Sequence, residues 1–310
     1  MFDIIGKRKW FLLISVLLIV PGLMAMIIST AQVGTPVRLS IDFTGGTLLE
    51  LEFEQMVLPG DVRQVFTDRD MPDTSVQTAD EGRNVIIRTK PIDADLRVEI
   101  EQELAEKFGP LTELRYESVG PTVGREVTRA GVVSILAVSV VILAFIAFAF
   151  RRVPHAFRYG VCAIVKMFHD VLVAFGVFAI LGILVGWEVD ALFLSAILTV
   201  IGFSVQDVIV VFDRIRENIP RRRGEQYEVI VNRSLLETLH RSLATQLNAI
   251  FIMVAILLFG GATIKQFIFA ILLGMITGTY SSLCVAVPLL VVWEKGEVGQ
   301  FFRRLRKRPA

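Results

Sequence analysis

Cysteine, histidine and charge are all scarce in this chain. Its 310 residues include 2 cysteines and 3 histidines, and Asp, Glu, Lys and Arg together make up only 20%. Both cysteines, Cys162 and Cys284, lie inside long apolar blocks, which argues against a disulfide framework or a cysteine-bound metal. His155, His169 and His240 show no metal-ligand spacing, so no metal centre is expected. No nucleophile–base pair or metal set stands out in the apolar blocks, so no catalytic residue and no cofactor is assigned. With 54% of residues hydrophobic, the composition fits neither a soluble globular enzyme nor a disordered chain.

The chain does have apolar blocks of about 20 residues, the length a helix needs to cross about 30 Å of hydrocarbon. Six spans are expected, at residues 10–29, 128–150, 159–186, 191–212, 244–262 and 266–293. No small-residue cleavage pattern follows the first, which therefore reads as an uncleaved anchor behind a short N-terminus, residues 1–9. Basic residues gather on one side: Lys7 to Lys9, Arg151, Arg152 and Arg158, Arg214 and Arg216, Arg221 to Arg223, and the tail 294–310 with Arg303, Arg304, Arg306, Lys307 and Arg308. The short opposite loops carry only Lys265. The positive-inside rule then places both termini in the cytoplasm. Residues 31–126 hold 10 basic against 19 acidic residues, and the remainder 22 against 12. A basic cytoplasmic face suits anionic membrane lipids, and nothing here calls for nucleic acid as a partner.

Residues 30–127 are the one stretch long enough for a soluble domain. An alternating strand at 37–53, interrupted at Thr44-Gly45-Gly46, precedes a helix at 60–69 that Pro59 introduces. Short strands at 75–78 and 84–89, joined through Asp80-Glu81-Gly82, lead to an amphipathic helix at 93–108 bearing Leu96, Ile100, Leu104 and Phe108. Gly109-Pro110 ends it, and a last strand is expected at 112–119. The order βαββαβ is that of the split ferredoxin-like motif. The fold class expected is a polytopic α-helical membrane protein with six spans and a small α+β ferredoxin-like domain between the first two. That domain contains no His or Cys, and its acidic residues read as a solvated surface.

Ionisable residues inside spans are costly and mark function by default. The third span carries Lys166, His169 and Asp170, with Asp170 about 16 Å deep by helical rise. Lys166 and Asp170 are i,i+4 neighbours that can pair. The fourth carries Gln206 and Asp207 and leaves through Asp213-Arg214, which puts Asp207 about 9 Å inside the cytoplasmic end. Two carboxylates on adjacent antiparallel helices fit a proton relay, because burial disfavours the charged carboxylate and allows proton uptake. They fit an inert polar clamp as well. His169 reads either as a relay member or as a hydrogen bond to a neighbouring helix. Gly182 with Gly186, and Gly274 with Gly278, have the spacing of close helix contacts. Residues 213–243 are too polar to span, and Ile230, Leu235, Leu239 and Leu243 make their second half an amphipathic helix expected on the membrane or a partner.

Several segments carry a resemblance. They are the opening residues 1–10, Ile41-Asp42-Phe43-Thr44-Gly45-Gly46-Thr47, Val119-Gly120-Pro121-Thr122-Val123-Gly124 and His169-Asp170-Val171. The run from Asp207 to Asn218 is the most specific, and Asn232 to Leu235 with Thr238 to Leu243 completes the set. Together they resemble the SecF family, the membrane subunit that works with SecD beside the bacterial protein-export channel. The resemblance implies half of a transporter of the RND superfamily in a bacterial plasma membrane. It implies SecD as partner, with the SecYEG channel, other accessory translocase subunits and preprotein substrates around it, and proton-motive force as the energy source. It also ties Asp170 to the family's proton path, with Asp207, Asp213 and Arg214 in the fourth-span motif lining the same region; His169, Lys166 and Gln206 are further candidates by position beside them.

Two positions depart from the family pattern. Gln206 stands where Asn is usual, and Lys166 where small or apolar residues are usual. A permanent Lys166 cation opposes proton uptake by Asp170, whereas a neutral amine or a stem snorkelling about 10 Å to the surface does not. Two other readings remain open at this point: an RND-type exporter of lipids or small molecules, and a non-transporting scaffold of the export channel.

Overall fold

The computed structural model describes residues 3–79, 82–151 and 155–296. Asp80, Glu81, Arg152 and the basic tail from Arg303 to Arg308, all invoked above, lie outside the described residues. The chain forms two compact units, Leu39–Val132 and the remainder.

A first helix, α1 (Arg8–Val33), precedes the smaller unit. That unit runs α2 (Ile41–Thr44), β1 (Gly46–Phe53), α3 (Pro59–Thr67), β2 (Ser75–Ala79), β3 (Asn84–Thr89), α4 (Ala94–Phe108) and β4 (Leu111–Val119). The four strands form one antiparallel sheet in the order β2-β3-β1-β4, the ferredoxin-like arrangement. Its core joins Leu49, Leu51 and Phe53 of β1 and Val85 and Ile87 of β3 to Val62, Val65 and Phe66 of α3 and Ile100 and Leu104 of α4. Asp93 caps α4 by accepting a hydrogen bond from Leu96 N at 2.9 Å, and Gly109, at φ 91°, ends it.

The stretch expected as the first half of a long strand, residues 37–45, folds differently. Ser40 Oγ accepts from Asp42 N at 3.2 Å and Thr44 Oγ1 donates to Ser40 O at 3.1 Å, closing the single turn of α2. Such local side-chain bonds compete directly with strand pairing. The alternation of apolar residues gives no sign of them.

The larger unit contains the long helices. After α1 come α5 (Pro121–Ala149), whose first turns belong to the smaller unit, α6 (Ala156–Val185), α7 (Ala191–Arg221), α8 (Tyr227–Phe259) and α9 (Ala262–Ser281). A π-helical turn, Ser282–Ala286, joins α9 to α10 (Val287–Glu294). Pro288 accounts for that turn: it lacks an N–H and its ring cannot sit over the carbonyl four residues earlier. Among the described residues, six helices are long and apolar enough to cross a membrane, with α9, the π turn and α10 counting as one. Residues 227–243, expected as a separate surface helix, run unbroken into the fifth apolar block, since no Gly or Pro interrupts 227–259.

Glycines set several helix contacts. A Cβ on Gly22 of α1 would lie 2.7 Å from Gly176 Cα of α6, and one on Gly274 would meet Val200. Gly278 faces Ser204, while Gly186 serves instead as the left-handed cap of α6 at φ 73°. At one end of the bundle, Phe150, Tyr159 and Phe212 stack and cross edge-to-face within a buried cluster that includes Val231, Leu235 and Leu290. The backbone N–H groups of Ile4 and Ile5 donate to Asn232 Oδ1 at 2.9 and 3.2 Å, tying the chain start to α8.

Candidate functional site

Mid-way along α6, three ionisable side chains are buried together. Lys166 is fully buried, Asp170 is 1% exposed and His169 is 7% exposed. The i,i+4 spacing carries Lys166 back along one helix face to Asp170, with Nζ 3.0 Å from Oδ2. Ser204 of α7 completes the cluster. Its carbonyl oxygen accepts from Lys166 Nζ at 2.8 Å, and its hydroxyl accepts from Nζ while donating to Asp170 Oδ2 at 2.6 Å. His169 Nδ1 lies 3.1 Å from Asp170 Oδ1, and Ser281 of α9, whose hydroxyl donates to Gly278 O at 3.2 Å, lies beside the carboxylate. His169 Nε2 is buried with no hydrogen-bond partner among the described residues. Both carboxylate oxygens of Asp170 are therefore engaged. Lys166 does not snorkel.

Asp207 lies in a second group one helical turn farther along α7. It is 8% exposed and accepts from Gln246 Nε2 of α8 at 3.1 Å, with the Ser242 side chain as a further partner. Gln246 Oε1 is buried without a partner among the described residues. Lys166 pairs directly with Asp170 and interacts electrostatically with Asp207 as well.

Not every candidate converges there. Gln206 is exposed on the far side of α7. Asp213 pairs with Arg216 at 2.6 Å, and Arg214 with Glu217 at 2.7 Å and Glu237 at 2.6 Å. Arg214 belongs to an ion-pair network where α7 meets α8, with buried Asn218 donating to Glu237 at 2.9 Å, whereas the Asp213–Arg216 pair lies within α7. Conversely, the sequence singles out none of Ser204, Gln246 and Ser281, and Ser242 stands only within the family-like segment Thr238 to Leu243. Gln246 carried a signal, as an amide in an apolar block; the serines look like ordinary small packing residues.

The two glycine motifs of the smaller unit meet. A Cβ on Gly45, at φ 72°, would lie 2.9 Å from Pro121 Cα, and one on Gly124 only 2.8 Å from Phe43 O. Gly46, at φ 129°, approaches Thr89 O as closely as its missing side chain allows. Asp42, Phe43 and Thr44 form the turn of α2, and Gly120 lies in open space just before α5. The pattern describes a clasp between the start of β1 and the start of α5. On α4, burial, reinforced by Glu113, pushes the Glu101 carboxyl up to about 7 despite Arg97 nearby. Lys107 and Arg69 hold Glu103 below the usual range.

Comparison with known proteins agrees with this architecture. Residues 99–296 match the family described as protein export membrane protein SecD/SecF, C-terminal, and residues 31–55 match the SecD/SecF GG motif. The chain belongs to the SecD/SecF family. The protein translocase subunit SecF of Anaerolinea thermophila is 46% identical over 98% of both chains. That of Thermobaculum terrenum is also 46% identical, over 100% of this chain and 99% of the relative. Among solved structures, SecDF from Thermus thermophilus, a translocon-associated membrane protein, superposes with a TM-score of 0.79 at 32% identity. The match covers 95% of this chain but 39% of that one, so this chain spans well under half of SecDF. Six apolar helices and these SecF relatives make it a multi-pass protein of the bacterial inner membrane.

Proposed function

We propose that this chain is the SecF subunit of a bacterial protein translocase, coupling proton-motive force to preprotein movement in partnership with SecD beside the SecYEG channel. Both termini lie in the cytoplasm in this reading, where the basic segments meet anionic lipid headgroups. The observation that carries the coupling is the fully buried Lys166–Asp170 pair bridged by Ser204 between α6 and α7.

A proton arriving on Asp170 neutralises the carboxylate and leaves the Lys166 ammonium without its partner. Breaking one side of a buried pair costs about 3–5 kcal/mol. A proton falling through 100 mV supplies only about 2.3 kcal/mol. An ammonium that stays charged therefore needs another anion for the pair to open, and Asp207 is a carboxylate that interacts with it electrostatically. Exchange of Lys166 from Asp170 to Asp207 would shift α6 against α7 and α8, a discrete two-state movement suited to driving the rest of the complex.

The completeness of the pairing favours one rival, a static polar clamp holding α6 to α7. Asp207→Asn separates the two. It removes the second anion, so gradient-driven preprotein export in inverted vesicles is expected to fall while the complex with SecD still assembles. Unchanged gradient-driven export would favour the clamp.

A further inference from the structure

We infer that Lys166 is a tethered internal cation, filling the place an alkali-metal ion would otherwise take between α6 and α7 and so restricting this seam to protons. The inference rests on the reading of the seam as an ion path. It adds which ion can use that path, and which residue decides.

The ligand set around Nζ is the observation. A carboxylate oxygen of Asp170, the backbone carbonyl of Ser204 and the Ser204 hydroxyl all converge on it. Carboxylate, carbonyl and hydroxyl oxygens are the donors that hard cations select. The Ser204 proton is committed to Asp170 Oδ2 at 2.6 Å, so the hydroxyl presents lone pairs to Nζ, as it would to a metal ion. Full burial of Lys166 means that the ammonium leaves no room for a second cation on the same oxygens.

The pair is faced by His169 on α6, Ser281 on α9 and Asp207 on α7, the last held in turn by Gln246 and Ser242 of α8. An ammonium fixed to the backbone cannot exchange with solvent, whereas a proton can hop on and off a neighbouring carboxylate. Removing the side chain should leave a carboxylate, a hydroxyl and a carbonyl around a vacated volume, a site for Na⁺.

The test compares thermal unfolding of the full chain in NaCl and in KCl. Ligand binding to the folded state raises the unfolding temperature in a saturable way. Wild type should unfold at the same temperature in both salts. Lys166→Ala should gain a saturable rise in NaCl, lost on adding Asp170→Asn and absent in Lys166→Met, whose stem keeps the volume filled. In vesicles, Lys166→Ala export should become several-fold responsive to an imposed Na⁺ gradient. A Na⁺ response in wild type equal to that of Lys166→Ala would overturn the inference, as would a folded Lys166→Ala without one. An alanine variant that folds in neither salt also counts against it, because the emptied oxygens then hold no cation. If instead Asp170→Asn alone leaves proton-driven export intact, the coupling reading fails while the Na⁺ result stands.

Discussion

Gly22 and Gly176 offer a quantitative test of how the bundle is held together. A Cβ on Gly176 would stand 2.8 Å from Gly22 Cα, where carbon atoms normally rest about 3.5–4.0 Å apart. One methyl therefore forces α1 and α6 apart by about 1 Å. That shift strains the hydrogen bond from Tyr280 Oη to Phe11 O at 2.6 Å, which anchors α1 to α9. Overpacking of this kind costs about 1–3 kcal/mol. Alanine also recovers about 1 kcal/mol of helix propensity, which would blur the reading of a single variant. Gly202 of α7 supplies the correction, since a Cβ there meets nothing within 4 Å. Gly176→Ala should thus be about 1–3 kcal/mol less stable than Gly202→Ala in reversible unfolding from mixed detergent micelles, followed by helical circular dichroism. Equal stability within about 0.5 kcal/mol would mean that this crossing adjusts freely, and the close-contact argument would be wrong.

The same reasoning applies to the clasp of the smaller unit. Gly124→Ala drives a methyl toward Phe43 O and should destabilise that unit by about 1–3 kcal/mol in thermal unfolding, whereas Gly120→Ala, in open space, should spare it. Glu101 gives a pH dependence. Its carboxyl binds a proton more tightly in the folded state, at about 7 against an ordinary 4.5, so stability should fall as pH rises through that window and level off above it. Glu101→Gln should flatten the slope; an unchanged slope would assign the dependence to another group.

Much of this fold is legible in the residues, for physical reasons. Six spans follow from apolar length alone, and the βαββαβ order follows from Pro59, Asp93 and Gly109 punctuating alternating and helical patterns. The turn at 41–44 was hidden because Ser40 and Thr44 act through local bonds that leave hydrophobic periodicity untouched. The Gly22–Gly176 contact was hidden because it joins two helices far apart in sequence, and a lone glycine on each carries no spacing signal. At the candidate site, Lys166, His169 and Asp170 declare themselves as charges inside a span. Where the ammonium points depends on Ser204, a residue with no charge and no distinctive spacing. Asp213 and Arg214 share a sequence motif with Asp207, yet six or more residues of helix, about 9 Å, separate them along α7.

The central claim is that Asp170 carries protons rather than merely holding two helices together. The most direct measurement is preprotein export in inverted vesicles under an imposed proton gradient, comparing wild type with Asp170→Asn after both are shown to assemble with SecD. Asparagine keeps the size and accepts hydrogen bonds from Lys166 and Ser204, but it takes up no proton. Loss of the gradient-dependent component, with gradient-independent export unchanged, is the expected result. A full gradient response in the assembled variant would contradict the account and leave Asp170 as a structural clamp.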